Sequence, residues 1–559
     1  MSRKITALIL SFVLLMALFT ACTGGNGTSP TTAATTAAAT TAAATTTAAT
    51  TAAATTTAAT TAATTAKPAT TATTVVATTA QPVENLDFVT LDWYNVMSPP
   101  EMPDTKMVWE ALNKYFKEKI NAQVEIHLSN SADLRTKGST MIAAGQAFDV
   151  IYSGQGVEYP INAANNAFVA LDDLLPEYAP LTLAQIPQYA WDAVRVKGTI
   201  YTVPVYKDLA QRINLIYNKT MCDTIGISPL DYPFESAIDM VEFYYDAKPL
   251  RDAKYPELAE KPMLKDIGGM FNFHYYDNIL NNHIICNIPG INDYAGNPDG
   301  KTVFDIYATD EYRNFVNLMK QMVDDNIVPY DAKNYDTDRA LRSAGEFIGV
   351  IGAGSISVQP DIYSDLFDSA LYVASQAYTY TSKITGNGQA ISVTSPNPER
   401  ALMMLELVNN DNYVATTLRF GIEGVHHTVE PNGQINVDGG PNNADPKNRG
   451  YYYWYGHQVG SIFVMSVPSF EPENFFDLMD EINRTAIVAA TMGFSMDTAN
   501  VTTEVATVSS VISEYADLNT GMVDNPDAML DEMLEALKAA GSEKLLAEAQ
   551  TQLDAWFAK

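Results

Sequence analysis

From about residue 86 onward, apolar positions recur with two different periods. Phe88 to Val96 (FVTLDWYNV) is rich in β-branched and aromatic side chains and reads as an opening strand. TKMVWEALNKYFKEKI follows as an amphipathic helix, with Met107, Ala111, Leu112, Tyr115 and Ile120 close to helical spacing. Ala122 to Leu128 (AQVEIHL) alternates as a second strand. LRTKGSTMIAAGQA predicts a helix ending near Gly145, and FDVIYSG a third strand stopped by glycine. The order β-α-β-α-β implies a parallel sheet with helices on its faces.

Farther on, FVALDDLLPEYAP reads as a loop and VKGTIYTVPV as a hairpin, followed by a polar turn. A new run begins near Asn214. A later helix presents Tyr312, Phe315, Val316, Met319, Met322 and Val323 as its apolar face. GEFIGVIGAGS predicts a buried strand, and GQAISVTSPNPERALMMLELVNND a strand, a proline-containing loop and a helix. The chain ends in a helical hairpin broken at Gly541. A body of roughly 475 residues exceeds what one core supports, so at least two lobes are expected.

The first residues carry a different pattern. Arg3 and Lys4 precede an apolar run, Ile5 to Phe19, and the small pair Thr20–Ala21, which together read as a signal peptide over 1–21. The run is shorter than the about 20 residues of a membrane-spanning helix. Cys22 follows, in a pattern that resembles a bacterial lipobox, with Phe19 in the place usually held by leucine. The resemblance implies acylation of Cys22. Thr31 to Ala66 is only Thr and Ala and cannot build a core, so 22–83 reads as a lipid-anchored flexible linker. Cys222 and Cys286 remain; a disulfide and two buried thiols are both open, and there is no C-x-x-C.

Acidic residues number 65 against 34 basic ones, a net charge of −31. Such a surface repels phosphate backbones, which argues against a nucleic-acid partner. No cofactor motif stands out. None of the six histidines, His127, His274, His283, His426, His427 and His457, falls in H-E-x-x-H, so no metal site is expected. IYSGQG has Ile151 where a nucleophile elbow needs glycine. A glycosidase needs two carboxylates at set spacing, which 65 acidic residues make uninformative.

Taken in order, LDWY, NKYFKEKINAQVEI, AAGQAFDVIYSG, FVALDDLLPEYAP, VKGTIYTVPVYKD, ISVTSPNPERALMMLELV, FGIEGVHH and GFSMDTANVTTEVATVSSVISEY resemble the bacterial extracellular solute-binding lipoproteins of ABC importers. The likeness is to the sugar-binding group, in a subgroup with its own C-terminal segment. It implies an α/β, periplasmic-binding-protein-like fold over 84–559, with two lobes, each a mostly parallel sheet flanked by helices, joined by a hinge. Lobe one would take about 84–206 and 386–440, lobe two about 207–385 and 441–559. It also implies a monomer at the outer face of the cell membrane that passes a carbohydrate, an oligosaccharide, to permease subunits. In such sheets ligands lie past strand ends. Trp93, Tyr94, Tyr152 and Ser153 sit there, and Tyr206, Lys207 and Asp208 fall where the family's hinge enters the second lobe. Trp454 is a further candidate for a cleft wall. For each, a place in the core or a turn is the competing reading. A peptide or other small-solute binder, an exported carbohydrate-active enzyme and a surface scaffold stay open as alternatives.

Overall fold

The computed structural model describes residues 86–97, 99–154, 157, 159–232, 240–263, 276–328, 344–354, 368–373, 375–453 and 459–559. The expected signal peptide over 1–21, Cys22, the expected linker over 22–83 and Trp454 lie outside the described residues.

The opening strand, Val89–Val96, pairs in parallel with Ala122–Ser129, from Val89 opposite Ala122 to Val96 opposite Ser129. On its other side it pairs in parallel with Val150–Tyr152. The helix Thr105–Ile120 links the first two strands and ends on Asn121 at φ 44°, a left-handed stop that asparagine tolerates. Its buried face differs from the expected one. Val108, Trp109, Leu112, Phe116 and Ile120 are buried, whereas Met107 is 42% exposed. Trp109 and Phe116 decide the rotation, because aromatic rings remove more apolar area from water than Met107 and Ala111.

Two later segments complete this sheet. Gly388–Ile391 returns antiparallel beside Val150–Tyr152, and Thr202–Pro204 pairs antiparallel with Gly388–Ile391 at the edge. A first core includes Leu91, Trp93, Val108, Ile151, Ala390 and Leu402; Tyr451, Tyr453 and Val459 also belong to it.

The second lobe is built differently. Arg212–Asn218 is flanked by Gly349–Gly354 and Ser369–Val373, both antiparallel to it. Tyr276–Leu280 and Ile284–Asn287 form a hairpin, extended by Phe304–Asp305. The fold is therefore two-lobed α/β, but the expectation of a mostly parallel sheet fails for the second lobe. In the hairpin, Asn281 and Asn282 have φ 54° and 52°, the left-handed central pair of a turn closed by His283 N donating to Leu280 O at 3.0 Å, within a three-residue connection that joins antiparallel strands without a crossover helix.

The second core gathers Ile213, Phe243, Ile285, Phe315 and Met319. Helix Asp310–Asp324 buries Tyr312, Phe315, Val316, Met319 and Met322 along the expected stripe, and Val323 packs half-buried beside them. Cys222 and Cys286 are free thiols in this core, which resolves the alternative left by the sequence. The closing helices Pro526–Ala540 and Ser542–Phe557 turn at Gly541 and bury Leu530, Leu537, Leu545 and Leu553 in the same core. Among the described residues, no helix is long and apolar enough to cross a membrane.

Candidate functional site

Several ends of the first sheet meet along one edge. Val150–Tyr152 runs on to Ser153 and Gly154, Thr202–Pro204 runs on to Val205 and Tyr206, and the antiparallel Gly388–Ile391 begins there. At this edge the chain also leaves one core for the other. Leu209 belongs to the first core and Ile213 to the second; Tyr380 belongs to the second and Ile384 to the first. The two crossing segments lie side by side. Gln211 N donates to Tyr378 O at 2.9 Å, and Tyr378 N to Gln211 O at 3.0 Å. Beside them opens a cavity of about 480 Å³, lined by Gly154, Tyr159, Gln211, Tyr380, Lys383 and Asn387 among others. Its walls offer aromatic rings, side-chain amides, hydroxyls and one ammonium group. That mixture suits a ligand with apolar faces and a polar rim.

Tyr152 and Ser153 do not line the cavity themselves but lie next to residues that do. The Tyr152 hydroxyl lies 2.8 Å from both Gly386 O and Asn387 Oδ1. Burial pushes its phenol far above the ordinary range, so it stays a neutral donor. Ser153 Oγ is 2.6 Å from Thr202 Oγ1. A Cβ on Gly154 would sit 2.2 Å from Gly386 O and 2.3 Å from the Tyr152 ring. Only glycine lets these two backbone segments approach so closely.

The predicted hinge residues line the outgoing crossing. Tyr206 is buried, its hydroxyl donates to Asp480, and its ring centroid lies 4.4 Å from that of Phe463. Asn483, on the same helix Phe475–Thr485, donates from Nδ2 to Lys207 O at 2.6 Å and accepts from Ala210 N at 3.0 Å. Asp208 faces two ammonium groups: Lys383 Nζ at 3.2 Å and Lys207 Nζ at 3.8 Å. Burial alone would raise the Asp208 pKa, but the two lysines outweigh it and hold the carboxyl below its usual range. Burial lowers Lys207, against the pull of Asp208. Lys383 belongs to the returning crossing, so the Lys383–Asp208 pair ties one crossing to the other.

Trp93 and Tyr94 point to opposite faces of the sheet, as adjacent strand residues must. Trp93 is completely buried; its Nε1 donates to Gln389 Oε1 at 2.9 Å, and its ring meets Trp109 edge-on at 6.1 Å. Tyr94 is 7% exposed and stacks on His127 at 4.2 Å. Neither lines the cavity. Tyr159, Gln211, Tyr380, Lys383 and Asn387 line it without having been anticipated. A signal for three of them was present: YTYTSKITGN immediately precedes the strand that begins GQA. That strand runs antiparallel to its neighbours, so its amino end, not its carboxyl end, reaches the crevice.

Residues 100–415 match the family described as bacterial extracellular solute-binding protein, and residues 490–558 match a domain of unknown function (DUF3502). A carbohydrate ABC transporter substrate-binding protein of Streptococcus pneumoniae serotype 4 is 25% identical over 460 residues, covering 79% of this chain and 86% of that protein. The crystal structure of the N-glycan transport solute-binding protein from Streptococcus pneumoniae shares the fold with a TM-score of 0.70, at 19% identity over 85% of this chain and 100% of that one. A solute-binding protein from Bifidobacterium longum infantis, associated with an ABC transporter and described as binding HMO, does so with a TM-score of 0.59, at 16% identity over 84% and 99%. With more than half of its length matched by the first of these descriptions, the chain belongs to the bacterial extracellular solute-binding protein family.

Proposed function

We propose that this protein captures an extracellular carbohydrate, an oligosaccharide, in the crevice between its lobes and delivers it to the membrane permease of an ABC importer. The observation that carries this reading is the cavity of about 480 Å³ beside the paired crossing segments, lined by Tyr159 and Tyr380 together with the polar side chains of Gln211, Asn387 and Lys383. Sugar rings present apolar C–H faces to aromatic planes and hydroxyls to amides. The relative from Streptococcus pneumoniae is named for carbohydrate transport, and the N-glycan transport protein of like fold has been crystallised with Man1GlcNAc and Man5GlcNAc. Both support the sugar class.

In this reading the work is recognition, not bond cleavage. Tyr152 and Ser153 brace the floor, and Tyr206, Lys207 and Asp208 form the hinge wall. Trp93 and Tyr94 hold the lobe's packing, and Trp454 is a further candidate for contact with the sugar. Lobe one comprises about 84–206 and 386–440, lobe two about 207–385 and 441–559, with the stretch around Tyr451 and Tyr453 packing back on the first core. Closure shifts an open–closed equilibrium by the ligand's preference for the closed form. Cys22 carries the lipid, and residues 22–83 tether the body at the outer face of the membrane.

A thermal-shift and calorimetric screen of the body against oligosaccharides and peptides tests the reading. A sugar at a hundred times its Kd stabilises the fold by about 2.7 kcal/mol. Tyr380→Ala is expected to weaken that sugar at least about tenfold, or about 1.4 kcal/mol. Selective stabilisation by peptides would sink the carbohydrate assignment, and cleavage of the sugar by purified protein would sink the non-catalytic one.

A further inference from the structure

The polar face of the first sheet, on the side of Tyr94, carries a group of donors that do not line the cavity beside the crossings. In the parallel ladder Asp92 stands opposite Glu125, and Tyr94 opposite His127. The two-residue period of strands puts all four side chains on one face. His127 Nε2 lies 2.8 Å from Asp92 Oδ1. A donor atom from each of Asp92, Glu125 and His127 lies within 4.8 Å of the other two.

The arrangement is held by its surroundings. The His127 ring stacks on Tyr94 at 4.2 Å, with the planes 14° apart. The Asp92 backbone is fixed by its N–H, which donates to Asp149 Oδ2 at 2.9 Å. Both donor strands belong to a regular ladder, so the spacing does not depend on a loop. Two carboxylates directly across a ladder repel, and that placement costs stability in the absence of a cation. Lys137 engages the Tyr94 ring, its Nζ 4.7 Å from the centroid.

The donor types select the ion. One imidazole nitrogen and two carboxylate oxygens suit zinc and its first-row neighbours, which sit about 2.0–2.2 Å from such atoms. Calcium and magnesium prefer oxygen throughout. His127 and Asp92 keep 27% and 41% of their side chains exposed, so an ion reaches them from solvent and retains an open position. Glu125 is exposed and free to swing the remaining distance.

We infer that Asp92, Glu125 and His127 form a surface site for a divalent transition metal of the zinc class, separate from the cavity beside the hinge. The test uses the full mature chain, stripped with a chelator and dialysed. Zn²⁺ in the calorimeter should bind saturably at one equivalent, and Co²⁺ in its place should give the visible bands of a protein-bound ion. His127→Ala should weaken Zn²⁺ binding at least about tenfold and remove the Co²⁺ bands. Glu125→Gln, at an exposed position, should weaken it measurably while the far-ultraviolet circular dichroism stays that of wild type. Excess Ca²⁺ should not displace the zinc. The proposal is overturned by the absence of saturable Zn²⁺ binding, by binding that survives in both variants, or by displacement by Ca²⁺. None of these outcomes depends on whether a sugar binds.

Discussion

Gly154→Ala places one methyl group where the floor of the cavity is tightest. Its Cβ would meet Gly386 O at 2.2 Å and the Tyr152 ring at 2.3 Å. Ordinary carbon contacts are about 3.5–4.0 Å, so the segments must part by roughly 1 Å or more. Neither can yield at a flexible tip. Gly386 is main chain, and Tyr152 is buried with its hydroxyl set against Gly386 and Asn387. Overpacking of this kind costs about 1–3 kcal/mol. Because Gly154, Gly386 and Asn387 all line the cavity, the same displacement reshapes the binding surface. Urea unfolding followed by tryptophan fluorescence reads the first effect, and calorimetry with the sugar returned by the screen reads the second. The expectation is a stability loss of about 2 kcal/mol with affinity at least about tenfold weaker. Tyr152→Phe, which removes the hydroxyl without crowding, should cost only about 1 kcal/mol. Wild-type stability and affinity in Gly154→Ala would refute the reasoning.

Further outcomes follow from buried polar groups. Asp277 is fully buried, and desolvation pushes its carboxyl up to about 6 although the Thr491 and Thr381 hydroxyls donate to it. A carboxyl raised in the folded state contributes stability that is complete below about pH 3.8 and is lost as pH rises through about 6. The loss is of the order of 3 kcal/mol, so Asp277→Asn should flatten the urea-unfolding stability across that window and gain at neutral pH; an unchanged pH profile contradicts this. Cys222 and Cys286 are buried free thiols, Cys222 pushed up to about 12 by burial and Cys286 higher still. An aqueous thiol reagent should therefore leave both untouched in the native body and label both in denaturant without reductant, whereas finding no free thiol there would show a disulfide. Trp93→Phe keeps a buried ring but loses the indole bond to Gln389, and should cost about 1–3 kcal/mol with sugar affinity unchanged. A large loss of affinity at wild-type stability would return Trp93 to the binding surface.

Much of the fold was legible because it rests on local periodicity. Thr105–Ile120 and the break at Gly541 fall where sequence reading put them, since helical spacing and a left-handed glycine act within a few residues. The rotation of that first helix was not legible. Choosing between Met107 and Trp109 required knowing that Trp93 waits beneath it. The strand-end rule pointed to Tyr152 and Ser153, which lie buried next to the lining residue Gly154, and it overlooked Tyr380, Lys383 and Asn387, because an antiparallel return strand offers its opposite end.

The division has one physical source. Sequence by itself determined the features that neighbours along the chain control: the order of strands and helices in the opening β-α-β-α-β run, the apolar stripe of Asp310–Asp324, and the excess of negative charge. Only the tertiary structure decided which distant residues meet. It set Lys383 against Asp208, Gly154 against Gly386, and His127 beside Asp92, and it made the second lobe's sheets antiparallel. Those pairings depend on strand register and on the route of the chain between two cores, and register is fixed by burial of whole faces rather than by any residue's own preference.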